Sequence, residues 1–307
     1  MSTPAVAIVN PRSAGGATQR SWPALQQRLS SAVGEVDVLF TDRPNAATRL
    51  AREALERGVS LVLSVGGDGT HNEVVNGFFE DGRPINPEAA LAIIPAGTGG
   101  DLRRTFGWSA SSREALDRLP QAGRRRVDVG KVTYTATDGS TAVRHFLNVA
   151  SFGISGEVDA RANASSKRLG GKLSFALASL GAFAGYRDRH VRLALDGAPM
   201  REAQITTVAV CNGQYFGGGM RVSPTALIDD GSFDLTVWSG FELTDFVRYN
   251  RRIYDGTHVT LPGTSTARIR HLRAESEENV LLDLDGEQPG RLPATFEILP
   301  QALWVRV

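Results

Sequence analysis

The 307-residue chain carries a formal net charge of +1, with 34 Lys and Arg against 33 Asp and Glu, so no global field marks it for nucleic acid. Its single cysteine, Cys211, excludes an internal disulfide framework, and its five scattered histidines have no metal-ligand spacing. No apolar run approaches the roughly 20 residues that span a bilayer, and the N-terminus lacks a signal-peptide pattern, so a cytoplasmic protein of one or two domains is expected, with peripheral membrane contact at most.

Ala5–Val9 reads as a strand, followed by the loop Asn10-Pro11-Arg12-Ser13-Ala14-Gly15-Gly16. Residues 18–32 read as a helix with Leu25 and Leu29 on one face, and Val36–Phe40 as the second strand. Residues 46–57 form an amphipathic helix with Leu50, Ala54 and Leu55 inward and Gly58 as its stop. The apolar run 61–65 is a buried strand that stops at Gly66, Gly67 and Gly69, after which Asn72-Glu73-Val74-Val75 opens a helical pattern. A further strand, 91–94, enters Pro95-Ala96-Gly97-Thr98-Gly99-Gly100-Asp101. Strands alternating with helices predict a parallel α/β sheet with right-handed crossovers.

After Arg126 the texture changes. Residues 127–134 and 143–149, with a turn at Asp138-Gly139, read as a hairpin. Further strands are expected at 191–195, 205–211, 233–238, 267–272 and 280–284, several ending in Asp-Gly turns, with helices at 172–186 and 243–254. This half is mostly antiparallel, as in a sandwich. Cys211 lies in an apolar run and reads as an inert core residue. Arg124-Arg125-Arg126, and Arg248 with Arg251-Arg252, are solvated faces or local anion patches.

A strand that empties through glycines into a helix N-terminus presents bare backbone N–H groups suited to phosphate oxygens. Asp68 sits in that loop, where its carboxylate could hold a metal, accept a proton, or simply cap a glycine-rich turn. The loops after Val9, Val65 and Ile94 all leave the carboxyl ends of strands, where parallel sheets bind ligands, so they converge on one crevice. That convergence favours a nucleotide site.

These residues resemble the bacterial lipid kinases of the diacylglycerol kinase catalytic-domain family, relatives of the sphingosine kinases. The matching elements are Asn10-Pro11 with its glycine loop, Gly66-Gly67-Asp68-Gly69-Thr70 with Asn72-Glu73, and Pro95-Ala96-Gly97-Thr98 leading to Asp101. Residues 224–231 (Pro-Thr-Ala-Leu-Ile-Asp-Asp-Gly) and Asp285-Gly286-Glu287 extend the match over nearly the whole chain. Where the family runs Thr-Asn-Asp-Phe-Ala-Arg, this chain has Gly99-Gly100-Asp101-Leu102-Arg103-Arg104, which keeps the aspartate and loses the asparagine. The resemblance implies an NAD-kinase-like three-layer α/β ATP-binding domain, residues 1–125 joined by 293–307, and a mainly antiparallel β-sandwich domain, residues 126–292. It implies an ATP- and Mg2+-dependent lipid kinase whose acceptor is a lipid hydroxyl at a membrane surface. An NAD kinase, or a non-catalytic regulator on the same fold, is the alternative, and a second copy of the chain is a candidate partner.

By the same resemblance, Asn10, Pro11, Arg12, Ser13 and Thr41 face the nucleotide, together with Gly66, Gly67, Asp68, Gly69, Thr70, His71, Asn72, Thr98 and Asp101. Thr41-Asp42 after a strand also suits a plain turn cap. Asp230, with the main-chain carbonyls of Leu227 and Ser232, would hold a structural magnesium ion, although Asp230-Gly231 equally suits a hairpin turn. If the run Leu282-Asp283-Leu284-Asp285 persists as a strand, Asp283, Asp285 and Glu287 share a face. Asp283 then reads as a solvated hairpin edge, Glu287 as the first-choice general base, and Asp285 and Asp68 as its rivals. Lys167, Arg168 and Lys172, leading into Leu173, Phe175, Leu177, Leu180 and Phe183, are either a membrane-docking segment or an ordinary core helix.

Overall fold

The computed structural model describes residues 5–97, 99–164, 181–182 and 185–307. The proposed docking segment from Lys167 to Phe183 and most of the expected helix 172–186 therefore lie outside the described residues, as does Thr98. The chain forms two compact units, Met1–Val129 with Leu299–Val307, and Gly130–Ile298.

In the first unit, β1 (Ala5–Val9), β2 (Val36–Phe40) and β3 (Leu61–Gly66) alternate with α1 (Ser13–Val33), α2 (Ala46–Glu56) and α3 (Asp68–Gly77). A short hairpin, β4 (Phe79–Glu80) and β5 (Arg83–Pro84), leads to β6 (Ala90–Pro95), α4 (Asp101–Thr105) and α5 (Ser112–Arg118). β2, β1, β3 and β6 lie side by side, every pairing parallel. β1, β3 and β6 read as near-continuous apolar runs because both sheet faces are covered there, while β2 is the half-exposed edge strand. Ala7, Val9, Leu63, Val65, Ala92 and Ile94 pack against Trp22, Leu25 and Leu29 of α1 and Leu116 of α5. Val6, Ile8, Val62, Leu91 and Ile93, pointing the other way, are equally buried, on the side of α2 and α3.

The second unit begins within β7 (Arg124–Ala136) and continues through β8 (Thr141–Phe146), β9 (Val149–Gly153) and α6 (Ile154–Ala164). β10 (Arg189–Leu195), β11 (Arg201–Ile205), β12 (Thr207–Cys211) and β13 (Phe233–Trp238) follow, then the short helices α7 (Leu243–Arg248) and α8 (Asn250–Asp255). β14 (Thr264–Ile269), β15 (His271–Glu275), β16 (Leu282–Leu284) and β17 (Gly290–Arg306) complete it. One antiparallel sheet has the order β14-β13-β12-β9-β16. The other contains β11, β10, β15 and the first part of β17, also antiparallel. Phe152, Val208, Phe233 and Leu282 of the first sheet share one core with Val191, Ile205, Leu272 and Phe296 of the second, which makes the unit a β-sandwich. The end of β17 belongs to the first unit, where Trp304 and Val305 pair in parallel with Ala90 and Leu91.

Three expected strands prove to be two strands each. The runs 143–149, 205–211 and 267–272 break at residues 147–148, Thr206 and Arg270, where the chain leaves one sheet for the other. The apolar alternation runs through each corner unbroken, so sequence alone joins them. Thr206 shows what the corner needs: its N–H donates to the Trp238 carbonyl at 2.7 Å, while its own carbonyl accepts from Ile154 N–H at 2.9 Å. The expected helix 243–254 breaks at Tyr249 (φ −100°, ψ 10°) into α7 and α8. Helix α6 carries no clear periodic signal; β17 does, with Leu292, Ala294, Phe296 and Ile298 alternating inward, although only the resemblance, through the segment 293–307, pointed to it.

Three buried imidazoles, His71, His145 and His258, all lowered chiefly by burial, give the fold an acid limit. Burial lowers His71 and His145 from the ordinary 6.5 to about 4, with Asp68 opposing the shift at His71 and Lys131 reinforcing it at His145. The unfolded chain therefore takes up these protons first as pH falls, so their contribution to stability is complete above pH 6.5 and lost between 6.5 and 4. The urea midpoint should fall across that window, and His145→Gln should flatten the fall. An unaltered slope in the variant would assign the acid transition to other groups.

Candidate functional site

In the first unit the loops that follow β1, β3 and β6 are tied to one another by short, specific contacts. Asn10, just past β1, donates from its backbone N–H to the Val65 carbonyl at 3.0 Å and from its side chain to Thr70 Oγ1 at 3.0 Å. Its own Oδ1 accepts the Arg12 N–H at 3.0 Å, and its carbonyl accepts the Ser13 hydroxyl at 2.9 Å. Ser13 Oγ and Thr18 Oγ1 lie 2.5 Å apart, and Thr18 donates onward to the Ala96 carbonyl at 3.1 Å. After Ser13 the chain takes three consecutive left-handed residues, Ala14, Gly15 and Gly16, before α1 runs regularly. Pro11 and Arg12 sit at this turn, with the Arg12 side chain exposed.

The loops after β3 and β6 touch backbone to backbone. Ala96 N–H donates to the Gly66 carbonyl at 2.7 Å. A Cβ placed on Gly97 would stand 2.5 Å from Gly67 Cα, so no side chain fits there. Asp68, in the first turn of α3, crosses from one loop to the other: its Oδ2 accepts the N–H of Gly100 at 2.6 Å and that of Asp101 at 3.4 Å. Asp101 is itself nearly buried and pairs with Arg104 at 2.6 Å. Burial and Arg104 lower the Arg103 guanidinium, and the charges of Asp68 and Asp101 oppose that shift, while Arg103 itself donates to the Trp108 carbonyl at 3.2 Å. Thr41, after β2, donates its N–H to the Val9 carbonyl at 2.9 Å, which brings a fourth strand end to the same edge. Gly69, Thr70, His71 and Asn72 all lie in α3. The expected helix start at Asn72 is thus four residues late, because Asp68 opens the helix. The His71 ring is committed inward, with Nδ1 2.7 Å from Ser64 Oγ of β3, and Asn72 Oδ1 accepts from Asn76 at 3.1 Å.

In the second unit the strand β16 stops at Leu284, and Asp285 takes φ +50°. Asp283, Asp285 and Glu287 therefore do not share a strand face, because the turn ends the alternation. The Asp285 carboxylate accepts three backbone N–H groups, from Leu147 and Asn148 at 3.2 Å and Val149 at 3.0 Å. It fixes the corner between β8 and β9. Leu284 and Glu287 exchange backbone hydrogen bonds at 2.9 and 3.1 Å, closing a tight turn on which the Glu287 side chain is exposed. Asp283 is a correction to the solvated-edge reading: it is only 5% exposed, accepting from Ser151 Oγ at 2.9 Å and Gly286 N–H at 2.8 Å. Leu282 and Leu284 face the sandwich core, so period two turns Asp283 to the opposite, covered face of the sheet.

Asp230 Oδ1 accepts the Ser232 N–H at 3.1 Å, and its Oδ2 is ion-paired with Arg268. Leu227 is 55% exposed. The Arg268 guanidinium thus engages one of the two Asp230 oxygens, and the Ser232 N–H the other. Asp68 and Asp101 are hard oxygen donors beside glycine-rich backbone, of the kind suited to Mg2+ held with phosphates, and Arg104 pairs with Asp101 much as Arg268 pairs with Asp230. Sequence reasoning passed over Thr18, Arg268 and Asp159, whose partners Ala96, Asp230 and Asp283 are distant in the chain and leave no local pattern, and gave no role to Ser64 or Arg104, whose partners His71 and Asp101 lie close by.

The comparisons with known proteins agree with this arrangement. The diacylglycerol kinase catalytic domain family matches residues 4–132, and the YegS C-terminal NAD kinase beta sandwich-like domain family matches residues 148–307. A diacylglycerol kinase of Bacillus subtilis (strain 168) is 27% identical over 290 residues, covering 94% of this chain and 91% of that protein. One from Mycobacterium tuberculosis (strain ATCC 25618 / H37Rv) is 29% identical over 301 residues, covering 97% and 93%. Among solved structures, a candidate diacylglycerol kinase from Bacillus anthracis str. Sterne superposes with a TM-score of 0.76 at 25% identity over 99% of this chain and 96% of that one. Yeast NADH kinase complexed with NADH shares the fold alone, with a TM-score of 0.53 at 14% identity over 100% and 84%. With both halves matched in order, the chain belongs to the diacylglycerol kinase catalytic-domain family of lipid kinases.

Proposed function

We propose that the protein transfers the γ-phosphoryl group of ATP to the hydroxyl of a diacylglycerol-like lipid presented at a membrane surface, with Mg2+ bound alongside the nucleotide. The observation that carries this reading is the joined set of loops after β1, β3 and β6, with Asp68 hydrogen-bonded across two of them. Backbone N–H groups of residues 67–70, opened by glycines at a helix N-terminus, would hold phosphate oxygens, the His71 N–H being already bonded to the Gly67 carbonyl. Thr70, fixed by Asn10, adds a hydroxyl, and Arg12 and Arg103 supply cations for phosphate charge. Thr98 is assigned to the same nucleotide by resemblance. When bound, the metal supplies charge neutralisation on the transferring phosphate, and Asp68 and Asp101 are the residues that would hold it. The diacylglycerol kinase names of the relatives support the choice of acceptor.

Phosphoryl transfer forms a bond between the lipid oxygen and the γ-phosphorus, breaks the bond from that phosphorus to the β-bridging oxygen, and releases ADP. The hydroxyl proton needs an acceptor. Glu287 is assigned that role because it is exposed on a rigid turn. Asp285 already accepts three N–H bonds and would have to surrender them to take a proton, so it is assigned to positioning. Asp68, likewise bonded to the backbone of the neighbouring loop, is assigned to the nucleotide. At Asp230 the Arg268 guanidinium already supplies positive charge, so a structural Mg2+ there would have to displace it.

Purified protein given labelled ATP, Mg2+ and vesicles containing diacylglycerol, phosphatidylglycerol, ceramide or a long-chain base should label diacylglycerol. Labelling of NAD instead would replace this reading with the NAD kinase one. Asp68→Asn should lower turnover by roughly 10²-fold or more with the fold intact, since positioning and charge are lost together. Glu287→Gln should lower turnover about 10²–10⁴-fold with the KM for ATP little changed. A silent Glu287→Gln beside an inactive Asp285→Asn would move the base to Asp285.

The contact between loops makes a separate prediction. Gly97→Ala puts a methyl group 2.5 Å from Gly67 Cα and must push the loops apart. It should cost about 1–3 kcal/mol of stability and raise the KM for ATP by roughly tenfold. Wild-type kinetics in that variant would detach nucleotide binding from the junction.

A further inference from the structure

Asp159 of α6 and Asp283 of β16 form a pair of buried carboxyl groups, 7% and 5% exposed, hydrogen-bonded to each other. Helix α6 comes this close to the sheet because residue 156 is glycine: a Cβ there would stand 2.4 Å from the Leu281 carbonyl oxygen. A hydrogen bond between two carboxyl groups requires a proton on one of them, and two touching carboxylates away from water cannot both stay ionised. The surroundings locate that proton. Asp283 already accepts on both oxygens, from Ser151 Oγ at 2.9 Å and Gly286 N–H at 2.8 Å, as a carboxylate does. Asp159 has no ion pair among the described residues, and its Oδ2 is buried without a hydrogen-bond partner. Asp159 is the acid and Asp283 the acceptor.

The Gly286 N–H that Asp283 holds lies inside the turn closed by Leu284 and Glu287. We propose that Asp159 is a positioning residue whose carboxylic proton, shared with Asp283, fixes the turn 284–287 and so sets where the Glu287 carboxylate stands during proton transfer. This rests on the reading of Glu287 as the proton acceptor. Burial, then the neighbouring Asp283 and Glu287, push the Asp159 carboxyl well above the usual range, in keeping with its place as the proton-bearing member of the pair. Asp283 and Glu287 are the charged groups that face it. On its own helix Glu157 is engaged by Arg189 at 2.7 Å, and Arg161 is exposed. Ser151, Ser155 and Thr207, linked to one another beside the pair at 2.8 and 3.2 Å, are neutral. Loss of the Asp159 proton at alkaline pH would leave adjacent buried anions with Glu287 nearby, and their repulsion would open the turn.

Three measurements on the full chain test this. Infrared spectra at pH 7 should show the carbonyl band of a protonated carboxylic acid in the wild type, lost in Asp159→Asn. The pH profile of kcat should fall on the alkaline side in the wild type. In Asp159→Asn, whose amide still donates to Asp283 and cannot ionise, that alkaline fall should disappear. Asp159→Ala, which removes the bond, should lower kcat roughly tenfold or more with the KM for ATP within about twofold. Absence of the band, persistence of the alkaline limb in Asp159→Asn, or wild-type kcat in a folded Asp159→Ala would overturn the proposal. The band needs no turnover, so it separates the shared proton from the base assignment: the band together with a silent Glu287→Gln would overturn the positioning role through failure of the Glu287 reading.

Discussion

The approach of Gly97 to Gly67 is the contact on which the first unit's chemistry depends. In a parallel sheet the carboxyl ends of neighbouring strands point the same way, and their loops stand roughly one strand spacing apart. Here the loops after β3 and β6 close that space completely, down to a separation that leaves no room for a Cβ at Gly97. Asp68 can then reach the Gly100 N–H, and Thr18 can reach the Ala96 carbonyl. Asn10 brings in the loop after β1 through Thr70. The loops are thus held by one another before any ligand arrives, which is the preorganisation that phosphoryl transfer requires.

The second unit solves a different problem. A sandwich must pass its chain from sheet to sheet, and each passage leaves backbone groups without strand partners. At the 147–149 corner three N–H groups point to the Asp285 carboxylate, and at Arg270 and His271 two point to Asp196 at 2.8 Å. Aspartates past the ends of strands serve as caps for corners made elsewhere in the sequence. The Asp-Gly pairs at 285–286 and 196–197 therefore do more than turn their own hairpins: each fastens two sheets at one point.

The alternating first half was legible because burial on both faces writes β1, β3 and β6 as apolar runs, while the edge strand β2 keeps a shorter β-branched pattern. The same local signals failed at the sandwich corners, where hydrophobic alternation continues while the hydrogen-bonding partners change. Thr206 looks like one more strand residue until Trp238 and Ile154 are seen to claim its backbone. Asp283 failed for a related reason. A charged residue between two leucines reads as surface, and only the helix lying over that face makes it core. Its partner Asp159 sits on a helix with no apolar stripe, so nothing nearby in sequence announced either member of the pair.

What distinguishes the carboxylates of this protein is the set of donors each has been given. Asp285 is surrounded by backbone N–H groups, Asp68 by those of the neighbouring loop, and Asp101 and Asp230 by arginines. Each of these carboxylates is held in place by the donors around it. Asp159 and Asp283 received each other, which forces a proton onto the pair and makes it a neutral–anionic unit. Glu287 alone among the Asp-Gly-Glu and neighbouring acids stands exposed on a turn whose backbone is fixed from below by Asp283. Rigid placement with solvent access is what a general base needs, since it must meet a hydroxyl in the right geometry and then release the proton to water. Asp283, Asp285 and Glu287 lie within a few residues of each other, and the fold gives each different surroundings: Asp283 is buried against Asp159, Asp285 is bonded to three N–H groups, and Glu287 is exposed.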